Sequence, residues 1–266
     1  VTTRLDAELV RRGLARSRGH AATLVASGRV RVDGHVATRG AVAVGPERAL
    51  EVAADDDPGY ASRAGHKLAG ALDALGPDGP AVAGRLCLDA GASTGGFTDV
   101  LLRRGAGRVV AVDVGHDQLR PELRADERVD VREGVNVRDL RPGDLPAAEL
   151  VVADLSFISL TLVLPALVAV SAPDADLLLM VKPQFEVGRE RLGSGGVVRD
   201  PRLRAEAVVA VAGAARAAGL RVLAVVPSPL PGPSGNVELF LWLTGRPGGV
   251  DVPDAQLRAA VEAVRP

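Results

Sequence analysis

Apolar residues recur along this chain with two different periods, and the places where one gives way to the other mark its parts. Near the start, Leu5, Leu9, Val10 and Leu14 fall at helical spacing, which predicts a helix fraying at Gly13. Ser17 then offers an N-cap for a second helix running to about Ala26. Its inner face is Ala21, Leu24 and Val25, and Gly28 stops it. Val30 and Val32, the Asp33-Gly34 turn and Val36 then alternate with a period of two, a hairpin signal. Two helices leading into a hairpin make a small α+β module.

After the unpatterned acidic run Asp55-Asp56-Asp57, short apolar runs alternate with helical patterns at 86–89, 109–113, 129–131, 150–154 and 177–181. This alternation predicts a doubly wound α/β, Rossmann-like body of parallel strands, whose ligands bind beyond the carboxyl ends of the strands. The predicted organisation is a module over 1–54, a linker over 55–62 and the body over 63–266.

With 266 residues, 47% of them hydrophobic and 24% charged, the chain is globular rather than disordered. The net charge of −1 hides an asymmetry: residues 1–52 carry nine Arg against five acids, and the remainder is acidic. A polyanion partner for the first module, or simply a solvated basic face, follows from that. Cys87, alone of its type, reads as buried strand filler and fits a reducing compartment. The longest uncharged stretch, between Asp154 and Asp174, contains Pro165 and several Ser and Thr, so no membrane span is predicted. No basic-then-apolar leader opens the sequence, and a cytoplasmic protein is expected. The four histidines, His20, His35, His66 and His116, lack ligand spacing, so no metal site is predicted.

The first strand of the body opens into Asp89-Ala90-Gly91-Ala92-Ser93-Thr94-Gly95-Gly96-Phe97, a glycine-rich turn that lets the backbone approach a ligand closely. Its spacing is not the GxGxxG of a dinucleotide site, and no GK[ST] marks a P-loop. The second strand ends at Asp113, which could accept both hydroxyls of a ribose or cap the next helix. Asn136 follows the third strand. Only two lysines occur against thirty arginines, and an ammonium differs from a guanidinium in being a compact point charge. Lys67 opens the body, Asp154 ends the fourth strand, Lys182 ends the fifth, and Glu238 enters a late one.

The segment from Asp89 to Phe97 resembles the S-adenosylmethionine turn of class I methyltransferases. That resemblance implies a cofactor site at Asp89, Gly91, Ser93, Thr94, Gly95, Gly96 and Phe97, with Asp113 at the ribose, Asn136 near the adenine, and Asp154 beside them. The ordered set Lys67, Asp154, Lys182 and Glu238 resembles the tetrad of the FtsJ-type RNA 2′-O-methyltransferases, and the first fifty residues resemble the S4 RNA-binding module. Together with the SRxxxKL, DLSFISL, KPQFE and GNVE segments, the chain from Arg4 to about Leu243 resembles the TlyA family, also labelled hemolysin A. One departure is Ala64-Gly65, where the reverse order is expected.

The resemblance implies methylation of cytidine 2′-hydroxyls in 23S, and also 16S, ribosomal RNA within assembled subunits, by a protein acting as a monomer. Lys182 is then assigned to the hydroxyl, as an ammonium steadying a developing alkoxide or as an amine taking its proton. Asp154 and Glu238 hold the lysines, and Lys67 orients the nucleotide or supports the same hydroxyl. Arg4, Arg16, Arg18, Arg29, Arg31 and Arg63 are the candidate RNA contacts. Phe157 either stacks on an extruded base or packs in the core. The glycine stretch 193–196 is either a mobile substrate loop or a plain surface loop. Two rival readings are a noncatalytic RNA-binding assembly factor and a pore-forming hemolysin, the latter short of any span or strongly amphipathic segment.

Overall fold

The computed structural model describes residues 2–53, 58–232, 234–248 and 250–265. The chain divides into two compact units, Val1–Pro58 and Gly59–Pro266. The predicted acidic hinge at Asp55, Asp56 and Asp57 lies outside the described residues. Gly59–Ser62, expected as linker, belong to the second unit: Ala61 N donates to Asp99 Oδ2 at 2.7 Å, and the Tyr60 ring meets His66 edge-on.

In the first unit, helices Leu5–Arg11 and Arg18–Ala26 precede a hairpin of Val30–Val32 and His35–Val36. The first helix ends before Leu14 because the chain turns back on itself. Gly13, at φ 72°, donates to Val10 O at 3.0 Å, and Leu14 N returns to Leu9 O at 2.8 Å, a glycine-terminated cap. Ser17 caps the second helix by accepting from His20 N at 3.1 Å. Leu50–Val52 adds a third antiparallel strand, and Thr3–Arg4 pairs with Ala43–Val44. Leu5, Leu9, Leu24, Val25 and Val30 close the core.

The second unit is built on seven strands: β1 (Leu86–Ala90), β2 (Arg108–Asp113), β3 (Val129–Glu133), β4 (Ala148–Ala153), β5 (Ser171–Val181), β6 (Arg221–Pro227) and β7 (Leu239–Thr244). Their order in the sheet is β6-β7-β5-β4-β1-β2-β3. The five predicted runs pair in parallel; β7, lying between β5 and β6, is antiparallel to both. The sheet is therefore mixed, not purely parallel.

Covering helices bury both faces, so the strands read as nearly continuous apolar runs. Cys87, Leu150, Val152, Leu178 and Met180 pack toward α1 (Arg63–Leu75) and α2 (Gly96–Arg103). Their alternates Leu88, Val151, Ala153, Leu177 and Leu179 pack toward α3 (Leu160–Ala169), α4 (Pro201–Ala217) and α5 (Asp254–Glu262). The segment beyond Leu243, past the end of the family resemblance, thus contributes Leu257 and Val261 to the core. Burial pushes the Cys87 thiol up to about 12, which suits an inert filler. Among the described residues no helix is long and apolar enough to cross a membrane.

The chain leaves β1 toward β2, yet β4 lies on the other flank of β1, so the connections diverge between β1 and β4. A crevice opens at such a point, beyond the carboxyl ends of the two strands. Asp154 N donates to Ala90 O at 3.2 Å and stitches those ends together. The glycine turn and Asp154 both follow immediately.

Candidate active site

The turn after β1 is held by backbone geometry that glycine permits. Gly91, at φ 86°, donates to Val112 O at 2.8 Å; a Cβ there would lie 2.9 Å from Asp154 O, so the turn closes onto the neighbouring strand end only without a side chain. Gly95, at φ 94°, is the N-cap of α2, and a Cβ on it would run into Leu123. Gly65 of α1 and Gly96 of α2 form a close crossing, since a Cβ on Gly65 would sit 3.0 Å from Gly96 O. The Ala64-Gly65 order therefore puts the glycine where this crossing needs it.

Gly91, Ser93, Thr94, Gly96, Phe97 and Asp154 line one cavity together with Lys67, Arg63, Ser156 and Lys182. Gly91, Ser93 and Asp154 also border an adjoining cavity with Asp113, Asn136, Val137, Leu155, Ile158 and Val163. Asp113 sits at the end of β2, its Oδ2 accepting from Ser93 N at 2.8 Å and its Oδ1 from Gly115 N at 2.7 Å. Asn136 uses its side-chain oxygen to cap a short turn at Arg138 N, 3.1 Å away.

Two predicted cofactor residues stand apart. Asp89 is fully buried beneath the turn and accepts from Thr98 Oγ1 at 2.7 Å, tying β1 to α2. Desolvation raises its carboxyl to about 7, against the Thr98 hydrogen bond that lowers it. Gly95 serves packing against Leu123, as above.

The four separated polar residues converge as two ion pairs. Lys67 Nζ lies 2.5 Å from Glu238 Oε2 and Lys182 Nζ 2.6 Å from Asp154 Oδ1, all four at least four-fifths buried. Lys182 also donates to Ser156 Oγ at 2.8 Å. Asp154 Oδ1 stands at ion-pair distance without an aligned hydrogen bond, so the Ser156 bond engages one of the three N–H directions of the ammonium and the others are left for a substrate oxygen. Lys182, Ser156 and Glu238 line a third cavity with Phe157, Phe185, Gln184 and the glycine stretch.

Ser156 escaped the sequence reading, because a serine two residues past a strand end carries no pattern of its own. Asn236 was missed as well. Only 2% exposed, it donates from Nδ2 to Gly196 O at 2.9 Å and accepts at Oδ1 from Val198 N at 2.9 Å. The stretch at 193–196 makes a tight turn with Gly195 and Gly196 at φ 78° and 71°, fastened by these bonds to the segment that carries Glu238.

The candidate RNA contacts fall in both units. In the first, Arg4 grips Asp6 with two hydrogen bonds of 3.1 and 2.8 Å, and Arg18 reaches the same carboxylate at 3.3 Å. These guanidiniums, Arg4 foremost, hold the Asp6 carboxyl well below its usual range. Arg31 donates to Gly34 O at 2.9 Å, Arg16 is exposed, and Arg29 is half-buried. In the second, exposed Arg63 donates to Pro231 O at 3.3 Å. Phe157 is 90% exposed at φ 66°, a conformation costing a non-glycine residue about 1–3 kcal/mol. Core packing does not account for it. Its ring lies 5.3 Å from that of Phe185.

Residues 60–245 match the FtsJ-like methyltransferase family and residues 3–49 the S4 domain. The 16S/23S rRNA (cytidine-2′-O)-methyltransferase TlyA of Mycobacterium tuberculosis is 58% identical over 241 residues, spanning 90% of this chain and 89% of that protein. The chain belongs to the TlyA family. Hemolysin A of Brachyspira hyodysenteriae is 36% identical over 88% of this chain and 97% of its own length. A hemolysin-named solved structure from Streptococcus thermophilus aligns with a TM-score of 0.75 at 33% identity, over 98% of this chain and 94% of that one.

The residues present fit the S-adenosylmethionine that an FtsJ-like methyltransferase uses. Gly91 brings bare backbone to the lining of both cavities next to Asp154, and Asp113 offers a carboxylate at the rim. Leu155, Ile158, Val137 and Val163 form apolar walls suited to a flat base.

Proposed function

We propose that this protein methylates the ribose 2′-oxygen of cytidine in ribosomal RNA, using S-adenosylmethionine, in 23S and also 16S RNA of assembled subunits. The observation that carries the reading is the placement of Lys182 Nζ, fixed by Asp154 and Ser156, on the same cavity as the glycine turn. Bound there, S-adenosylmethionine supplies an electrophilic methyl group on a sulfonium.

The remaining work belongs to the chain. A sugar hydroxyl is a weak nucleophile, so it must be aligned and its developing charge offset. Lys182 directs a free N–H at that oxygen, while the charge of Asp154 keeps the ammonium from swinging away. Lys67, anchored by Glu238, bounds the cofactor-side cavity and orients the nucleotide. Phe157, exposed at the mouth of the two adjoining cavities, offers a face to a base drawn out of its helix. Arg4, Arg16, Arg18, Arg29 and Arg31 supply phosphate contacts from the S4 unit, and Arg63 from the body. The protein acts as a monomer in this reading, and the RNA substrate supports a cytoplasmic setting.

The test is incubation of the protein with unmodified ribosomal subunits and methyl-labelled cofactor, followed by mass spectrometry of RNA fragments. Label on a cytidine ribose is expected. A protein that binds subunits but transfers no label would instead be a noncatalytic assembly factor.

A further inference from the structure

Two short segments of the second unit, 154–160 and 182–186, are joined at four places. Asp154 and Ser156 hold Lys182, the rings of Phe157 and Phe185 meet, and Glu186 closes the series. Glu186 Oε2 accepts from Ser159 Oγ at 2.5 Å, and its Oε1 accepts from Leu160 N at 2.8 Å. The tetrad makes no use of this carboxylate. Burial raises its carboxyl above the ordinary range, against the two hydrogen bonds it receives.

Helix capping alone does not explain the arrangement. Ser159 already caps α3, accepting from Thr161 N at 3.2 Å, so the helix start has its own cap without Glu186. Between the anchors stands Phe157, in a left-handed backbone conformation with its ring in solvent. No core contact rewards that geometry, and a strained residue persists only where its surroundings over-determine it. Asp154 fixes the chain three residues before Phe157; the Glu186 clamp fixes it two and three residues after.

We propose that Glu186 is a positioning residue: by clamping Ser159 and Leu160 it sets the Phe157–Phe185 pair at the angle required by the base of the target nucleotide. The inference rests on the methyltransferase reading above. Glu186 itself touches neither cofactor nor RNA.

The chain has four phenylalanines, so fluorophenylalanine labelling gives a fluorine-19 spectrum of four lines, assigned with Phe157→Leu and Phe185→Leu. In Glu186→Ala the Phe157 and Phe185 lines are expected to shift and broaden while those of Phe97 and Phe240 stay in place. On unmodified subunits the same variant should show a KM raised about tenfold, with the affinity for S-adenosylmethionine unchanged. Glu186→Gln, which keeps an acceptor for Leu160 N and turns Nε2 toward Ser159 Oγ, should recover most of the loss. Ser159→Ala should show the same spectral change in milder form. Wild-type KM in Glu186→Ala, or all four lines moving together, would overturn the proposal. A wild-type protein that transfers no methyl group sinks the methyltransferase reading and the role of Glu186 with it; equal activity of wild type and Glu186→Ala sinks only the latter.

Discussion

Lys67 and Glu238, separated by 171 positions, meet at 2.5 Å with their side chains 8% and 1% exposed. Each is the other's compensation for leaving water. Removing one leaves a buried charge uncompensated, a loss of about 3–5 kcal/mol, whereas removing both spares that penalty. Lys67→Met and Glu238→Gln should each lower the midpoint of chemical denaturation, and the double variant should be more stable than the sum of the singles predicts. Additive losses in that cycle would show that the pair is not coupled as its geometry indicates.

Lys182→Arg tests whether charge or shape matters at the sugar oxygen. A guanidinium keeps the charge but spreads it over a plane and places its donors farther out, so it cannot occupy the point between Asp154 and Ser156. Turnover on unmodified subunits should fall by about a hundredfold or more, while S-adenosylmethionine binding measured by calorimetry is retained. Turnover at the wild-type rate would remove Lys182 from the chemistry.

Ser156→Ala removes one of the two groups that aim Lys182 and leaves its charge partner in place. A hydrogen bond to a charged group contributes about 1.5–3 kcal/mol, so a kcat reduction of roughly tenfold or somewhat more is expected. The loss should fall on kcat more than on cofactor affinity, because the hydrogen bond that is removed goes to Lys182. An unaltered kcat would mean that Asp154 alone suffices to orient the amine.

The architecture was legible where burial leaves a one-dimensional trace. The runs at 86–89, 109–113, 129–131, 150–154 and 177–181 all lie within or at the ends of β1 to β5, because strands covered on both faces are apolar at nearly every position. Ser17 and the Asp33-Gly34 turn were readable because capping and turn geometry are local. Strand direction leaves no such trace, and the antiparallel β7 was not anticipated. Ser156 and Asn236 act through partners 26 and 38 or 40 residues distant, which no local pattern encodes. The lysines stand out by their scarcity, and their acidic partners by the resemblance of the ordered set to the FtsJ-type tetrad. For Asp89 the strand-end position is visible in the sequence, whereas the direction of its side chain, buried against Thr98, is not.

Asp89 supplies the pH-dependent prediction. Its carboxyl is raised to about 7 by burial, well above the ordinary carboxylate range that it regains on unfolding. Between about pH 4 and 7 the folded state therefore holds this proton more firmly than the unfolded state does, so the contribution of Asp89 to stability falls as pH rises through that window and levels off above it. Asn at this position cannot ionise, yet its oxygen can still accept from Thr98 Oγ1. Any constant cost of the extra amide is the same at every pH. The difference in melting temperature, Asp89→Asn minus wild type, should therefore shift in favour of the variant on going from about pH 5 to about pH 8, since only the wild type then carries a buried charge. Thermal melts of both proteins in matched buffers measure it. A difference that stays constant, or moves the other way, would place the Asp89 titration outside this range and its charge in contact with water.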